Sequence, residues 1–255
     1  MNSQANCAEL VGAFFDLDGT VLPAPSLEWR FIGYLLARDE ISTAHVGGWL
    51  AECARRFWHD PRGATEGNKR YLAGIREELV NDWEKSLATE TLAGELLPFF
   101  EEALQRIAWH QAQCHRVFFV SGTLAPLARV VARSVGARDA ECIEVCATEL
   151  EAGSGCGQIW SGRILGEHMS GEAKSAAVKT FAARYGLDPS RSYAYGNGVR
   201  DAQMLEAVGN AVAVNPTRRL ERVARKRGWR TCIWNKTIGE ISDVGARQFA
   251  AKAAR

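Results

Sequence analysis

Two carboxylates two residues apart, Asp16 and Asp18, close an apolar run and are followed by a Gly19-Thr20 turn. Acids spaced in this way can share a divalent cation while one oxygen stays free to attack an electrophile. The same residues also read as a strand ended by an Asx-type turn, and alone they do not decide between the two. Ser121-Gly122-Thr123 ends a second apolar run. A small hydroxyl and a glycine between a strand and a helix suit a phosphate oxygen, because the hydroxyl donates, the glycine amide can approach closely and the helix start is positive. Helix capping by Ser121 or Thr123 is the plain alternative. Lys174 falls in the first turn of an expected helix, where the dipole disfavours a cation and an anionic partner would offset the cost. A solvated surface lysine is the alternative there. Asn197 and Asp201, spaced i and i+4, put further oxygen ligands beyond a third run.

The elements that must position these groups follow from periodicity. Leu10–Phe15, Arg116–Val120, Ser192–Tyr195 and Ala211–Val214 read as buried strands of a parallel sheet. Chemistry in such sheets gathers at the strands' carboxyl ends. Ser26 is an expected N-cap for a helix carrying Leu27, Phe31, Tyr34 and Leu35. From there to about Arg106 the pattern is helical, with segments over 43–57, 68–79, 89–95 and 98–110. This insert holds Trp29, Trp49, Trp58 and Trp83, half of the eight tryptophans, which suits a small helical unit that needs large side chains to fill its core. Residues 142–149 and 158–164, joined by a Gly-rich turn, read as an antiparallel hairpin. The turn lacks a Lys-Ser or Lys-Thr ending and so is not a nucleotide loop. Trp229–Trp234 is an expected edge strand, and the alanine-rich tail to Arg255 an expected helix.

Composition narrows the partners. With 31 basic and 30 acidic residues the formal charge is +1, so no global field points to nucleic acid or an anionic membrane. The basic stretch Arg218–Arg227 lacks the interleaved aromatics of a nucleic-acid module and reads as a solvated helix face. Seven cysteines are scattered without a Cys-x-x-Cys pair, which suggests neither a zinc site nor a disulfide framework. Residues 1–9 are polar and lack the regions of a signal peptide, and no apolar stretch is long enough to span a bilayer. The expectation is a reduced, cytoplasmic protein that needs neither nucleic acid nor membrane.

Four segments in order carry a resemblance: Phe-Phe-Asp-Leu-Asp-Gly-Thr-Val-Leu over 14–22, Phe-Val-Ser-Gly-Thr over 119–123, Gly-Glu-Ala-Lys over 171–174, and Ala194-Tyr195-Gly196 through Asp201 with Met204, Leu205 and Ala213–Pro216. Together they resemble the haloacid dehalogenase superfamily, closest to its phosphoserine-phosphatase-like subgroup with a helical cap. The resemblance implies an α/β fold, with a Rossmann-like parallel-sheet core over 1–22 and 105–255, helices on both faces, and an inserted α-helical cap over 23–104. It implies a Mg²⁺-dependent phosphomonoester hydrolase acting on a small phosphorylated metabolite. Asp16 would be the nucleophile and Asp18 the acid and base. Ser121, Gly122 and Lys174 would hold the phosphate. Asp16, the Asp18 carbonyl, Asn197 and Asp201 would form the metal site.

One position departs from the family pattern, which has aspartate where this chain has Asn197. The amide keeps a carbonyl ligand but loses a charge, which weakens hard-cation binding. Asn197 is compatible with a working variant of lower Mg²⁺ affinity, with a weakened protein that binds a phosphorylated ligand, and with a deliberate substitution. A phosphotransferase that passes the phosphoryl group to an acceptor hydroxyl is a further rival. Substrate choice would lie in the cap, where Glu28, Arg55, Arg56 and Arg62 are candidates for holding an amino acid.

Overall fold

In the computed structural model, which describes residues 10–57, 69–88, 97–135, 143–153 and 159–238, the first apolar run becomes the strand β1 (Gly12–Phe15) at the middle of a six-stranded sheet. The order is β4 (Ile143–Thr148), β3 (Arg116–Leu124), β1, β7 (Tyr193–Gly196), β8 (Asn210–Val214) and β9 (Arg230–Cys232), and every neighbouring pair is parallel. Phe15 lies opposite Phe119 of β3 and Tyr195 of β7. All four residues of β1 are buried, because helices cover both faces, and this is why its sequence is continuously apolar rather than alternating.

Alternate residues feed two cores. Ala13, Phe15, Val117 and Phe119 pack with α1 (Leu27–Ala37), α3 (Glu78–Ala88), α4 (Glu101–Ala112) and α5 (Ala125–Val135). Phe14, Phe118 and Val120 pack on the other face with α6 (Glu172–Tyr185), α7 (Ala202–Glu206) and α8 (Arg218–Arg227). Phe15 stacks on Tyr195 at 4.3 Å, and Phe14 on Phe118 at 4.9 Å. Each such aromatic side chain contributes about 1.5–3 kcal/mol by burial. In the insert, Ser26 caps α1 by accepting from the Trp29 N–H at 3.4 Å. Helix α2 (Thr43–Phe57) spans its expected range. Trp83 is buried against Phe31, and Trp49 packs on Tyr71 at 4.7 Å, so these two fill core space; Trp29 is 45% exposed. No described helix is long and apolar enough to cross a membrane.

Three segments differ from their sequence-based reading. The helix expected over 68–79 is a single 3-10 turn at Arg70–Leu72, and α3 starts only at Glu78. The chain between them is held by a strand partner instead: the Gly74 N–H donates to Trp160 O and the Trp160 N–H to Ile75 O, both at 2.9 Å. Phe99–Phe100, expected as helix, forms β2, antiparallel to β10 (Thr237–Ile238). The hairpin is β5 (Leu150–Ala152) against β6 (Trp160–Ile164), while residues 143–148 belong to the main sheet beside β3. The expected helices over 89–95 and in the tail lie outside the described residues.

A polar relay runs beneath the sheet. His110, in the last turn of α4, is fully buried, with Nε2 at 2.9 Å from the Tyr195 hydroxyl and Nδ1 at 2.8 Å from His115 Nδ1. Burial, then the neighbouring His115 and Arg106, push its pKa down from 6.5 to about 3. The fold thus holds the neutral imidazole, whereas the unfolded chain takes up a proton near pH 6.5. Stability from this residue is complete above that pH and is lost progressively as pH falls towards 3. Going from pH 7.5 to pH 5 is expected to cost about 2 kcal/mol through His110 alone. Urea unfolding at both pH values checks this: the difference should shrink by that amount in His110→Gln, and an unchanged difference would refute it.

Candidate active site

Asp16 is the first residue beyond β1, and its N–H still donates to Tyr195 O at 2.9 Å, so the sheet itself fixes where the carboxylate stands. The chain then turns sharply, with the N–H groups of Thr20, Val21 and Leu22 all donating to Leu17 O at 3.1, 2.8 and 2.9 Å. Gly19 supplies the positive φ of 82° that this turn needs. Its bare Cα also faces the Asn197 amide, where a Cβ would lie 1.9 Å from Nδ2. Asp18 accepts the Leu27 N–H at 2.7 Å through Oδ1, so the start of α1 holds this carboxylate. Burial raises its pKa above 3.8, against the lowering effect of that bond.

The second motif ends β3. Ser121 is buried, and its hydroxyl oxygen accepts the Thr123 N–H at 3.3 Å. His168 packs directly over Gly122, whose Cβ, if it had one, would be 2.8 Å from the imidazole Cε1, so a side chain there would have to displace the ring. The Thr148 hydroxyl donates to Gly122 O at 2.8 Å and accepts the Met169 N–H at 3.2 Å. The loop before α6 is thereby tied to the second motif.

Lys174, in the first turn of α6, is buried, and its Nζ donates to Asp16 Oδ1 and Asp201 Oδ1 at 2.6 Å each. Burial alone would lower its pKa, but the two carboxylates override it and raise the pKa above 10.5. The surface-lysine alternative fails. The remaining Asp201 oxygen accepts the N–H groups of Asn197 at 3.1 Å and Gly198 at 2.8 Å. Asp201 is therefore a bracket that shapes the loop after β7 and holds Lys174. Asp16 is pushed up from 3.8 to about 7, first by burial, then by Asp201, with Lys174 opposing.

These groups line one cavity of about 620 Å³. It brings together Asp16, Asp18, Ser121, Gly122, Lys174, Asn197 and Asp201, as the sequence led one to expect. From the insert it adds Glu28, a candidate from sequence, and Lys69, which was not. Lys69 is 5% exposed and grips Glu28 at 2.6 and 2.7 Å, and the Tyr71 hydroxyl donates to the same carboxylate. Arg55 does not reach the cavity; it is exposed and pairs with Glu52. Arg62 and the Arg56 side chain lie outside what is described. His168 also lines the cavity and was missed. Its place three residues before Gly171-Glu172-Ala173-Lys174 was the available signal. Lys69 had none.

The donor chemistry suits a hard cation. Two buried carboxylates, Asp16 and Asp201, share the Lys174 ammonium, and Asp18 lines the same cavity; the Asp16 pKa is raised first by burial and then by Asp201. Among the described residues no group of three His, Cys, Asp or Glu side chains could hold a metal alone. A cation here would have to be held by the Asp16 carboxylate with the Asn197 amide oxygen and the Asp18 backbone carbonyl, an all-oxygen set of the kind that suits Mg²⁺.

Acids after a central parallel strand, a Ser-Gly turn after its neighbour and a lysine clamped between two carboxylates define a class. The chain belongs to the haloacid dehalogenase-like hydrolases, whose family model matches residues 13–206. Within that family it is phosphoserine-phosphatase-like. It is 31% identical over 252 residues to phosphoserine phosphatase SerB1 of Mycobacterium tuberculosis, a match covering 95% of this chain and 73% of that protein. Its fold is similar to a protein with unknown function from Bordetella pertussis, with a TM-score of 0.67 at 24% identity over 86% of this chain and 96% of that one. It is also similar to a phosphoserine phosphatase solved as a phospho-aspartyl intermediate analogue, with a TM-score of 0.59 at 18% identity over 89% of this chain and 95% of that one.

Proposed function

We propose that the chain is a Mg²⁺-dependent phosphomonoester hydrolase that works through an aspartyl-phosphate on Asp16. The observation that carries this reading is the Lys174 ammonium, 2.6 Å from Asp16, in the same cavity as Asp18 and the Ser121-Gly122 turn. An Asp16 oxygen forms the new bond to phosphorus as the ester P–O bond breaks, and Asp18 gives the leaving oxygen its proton. The raised pKa of Asp18 suits an acid. Water then attacks phosphorus, Asp18 takes its proton, and orthophosphate leaves with Asp16 restored. Ser121, the Gly122 N–H and Lys174 hold the non-bridging oxygens and offset the charge that develops there. Bound Mg²⁺, held by Asp16, the Asp18 carbonyl and Asn197, would neutralise phosphate charge and keep Asp16 ionised; Asp201 supports it from behind through the Asn197 loop.

In this reading residues 23–104 are a cap over a core made of 1–22 and 105–255, and closure excludes water. The substrate is a small phosphorylated metabolite. Phosphoserine is the first to test, because the SerB1 relative is named for it and, among the described residues, the cap lines the cavity with a paired anion and cation, Glu28 and Lys69. Asn197 favours one second reading, a protein that binds a phosphorylated ligand without turning it over.

Phosphate release from a panel of phosphomonoesters, titrated with Mg²⁺, separates the two. Asn197→Asp restores a charged ligand and is expected to lower the Mg²⁺ needed for half-maximal rate by about tenfold or more. Turnover by the unaltered chain supports the hydrolase. Silence in both folded proteins would leave the binding protein.

A further inference from the structure

Thr123 is 3% exposed and lines the cavity, yet its hydroxyl has no hydrogen-bond partner. The expected use of such a residue, capping the helix that follows, is not made: the bond at this turn runs from the Thr123 N–H to the Ser121 hydroxyl oxygen. A buried hydroxyl left unpaired is unfavourable, and native folds pair nearly all such groups. Ser121, Gly122 and Thr123 are consecutive in β3 and all line the same cavity, at an irregularity where the pairing with β4 shifts between Ser121 and Leu124. Thr123 therefore stands next to Gly122 in the wall of the cavity that holds the proposed phosphate cradle. A carboxylate substrate oxygen or a phosphoryl oxygen could each accept a bond from Thr123, but its neighbours are those that bind phosphate.

We infer that the Thr123 hydroxyl is a further phosphoryl-binding group, donating to a non-bridging oxygen when a phosphate occupies the cavity. The inference rests on the reading of Ser121 and Gly122 as that cradle. It makes the local penalty of the ligand-free fold a reserve that ligand binding recovers.

The test pairs binding with stability in the full chain, using Thr123→Val, which keeps the shape and removes the hydroxyl, and Thr123→Ser, which keeps the hydroxyl. Orthophosphate is titrated calorimetrically in the presence of Mg²⁺, and urea unfolding is followed without ligand. Thr123→Val should weaken orthophosphate binding by about tenfold while leaving the urea midpoint unchanged or higher. Thr123→Ser should bind within about twofold of the original. Undiminished orthophosphate binding in Thr123→Val, whatever its stability, overturns the inference. So does failure of Thr123→Ser to restore binding. The titration needs no turnover, so a chain that hydrolyses nothing still reports on Thr123. If the unaltered chain binds no orthophosphate, the cradle falls and the inference with it.

Discussion

Asp16→Asn is expected to lower phosphate release by at least about 10⁴-fold and to leave the protein folded. Asparagine keeps the shape of the side chain but cannot form an acyl-phosphate. Lys174 retains its 2.6 Å bond to Asp201, so no buried charge is stranded. Stability should move the other way from activity. The Asp16 pKa rises from 3.8 to about 7 on folding, chiefly through burial and Asp201. Its contribution is therefore fully present below pH 3.8 and is lost as pH rises towards 7. Above pH 7 the fold holds an ionised carboxylate that it disfavours, and the neutral amide relieves this. Metal-free Asp16→Asn should have a higher urea midpoint than the unaltered chain at pH 8, and the gap should close towards pH 4. Measurable turnover above about 1% of the original would remove Asp16 from the nucleophile's role.

Lys174→Met carries the second large effect, on stability and rate together. The ammonium lies between Asp16 and Asp201 with side chains only 3%, 8% and 4% exposed. Removing it leaves two carboxylates facing each other out of water, and breaking buried pairs in this way costs about 3–5 kcal/mol. The rate should fall by about 10³-fold or more, because a charge aimed at the phosphoryl oxygens is lost. The double variant Lys174→Met, Asp16→Asn separates the causes. With one carboxylate neutralised, part of the lost stability should return, giving a coupling of 1 kcal/mol or more in a double-mutant cycle. A Lys174→Met variant within about 1 kcal/mol of the original would mean that the three groups are not a buried network in solution.

The strands β1, β3, β7 and β8 were legible because a buried parallel strand must be apolar along its whole length, and β1, β3 and β7 each lead into residues suited to chemistry. Helix α1 was legible from its Ser26 cap and its apolar periodicity, α2 from its helical pattern, and α8 as the basic run that follows Asn215-Pro216. The segments that went astray share a cause. Residues 70–76 have helical composition, but Trp160, more than 80 residues away, takes their backbone hydrogen bonds. Phe99 and Phe100 continue a helical pattern, yet pair with Thr237 and Ile238 across the chain. Local propensity amounts to a few tenths of a kcal/mol per residue, and non-local pairing outweighs it.

The same division runs through the site. The sequence by itself determined which side chains could act: Asp16, Asp18, Ser121, Gly122, Lys174, Asn197 and Asp201 stand at strand ends and helix starts, which short-range pattern encodes. Only the tertiary structure decided what each one does with its lone pairs and protons. Lys174 became a clamp rather than a surface cation because β1 and β7 are neighbours, so that Asp16 and Asp201 meet. Lys69 entered the cavity because Glu28, itself bonded by the Tyr71 hydroxyl, holds it there. The Thr123 hydroxyl was left without a cap to make. Such assignments depend on distances between residues far apart in the chain, and no periodicity in one segment carries them.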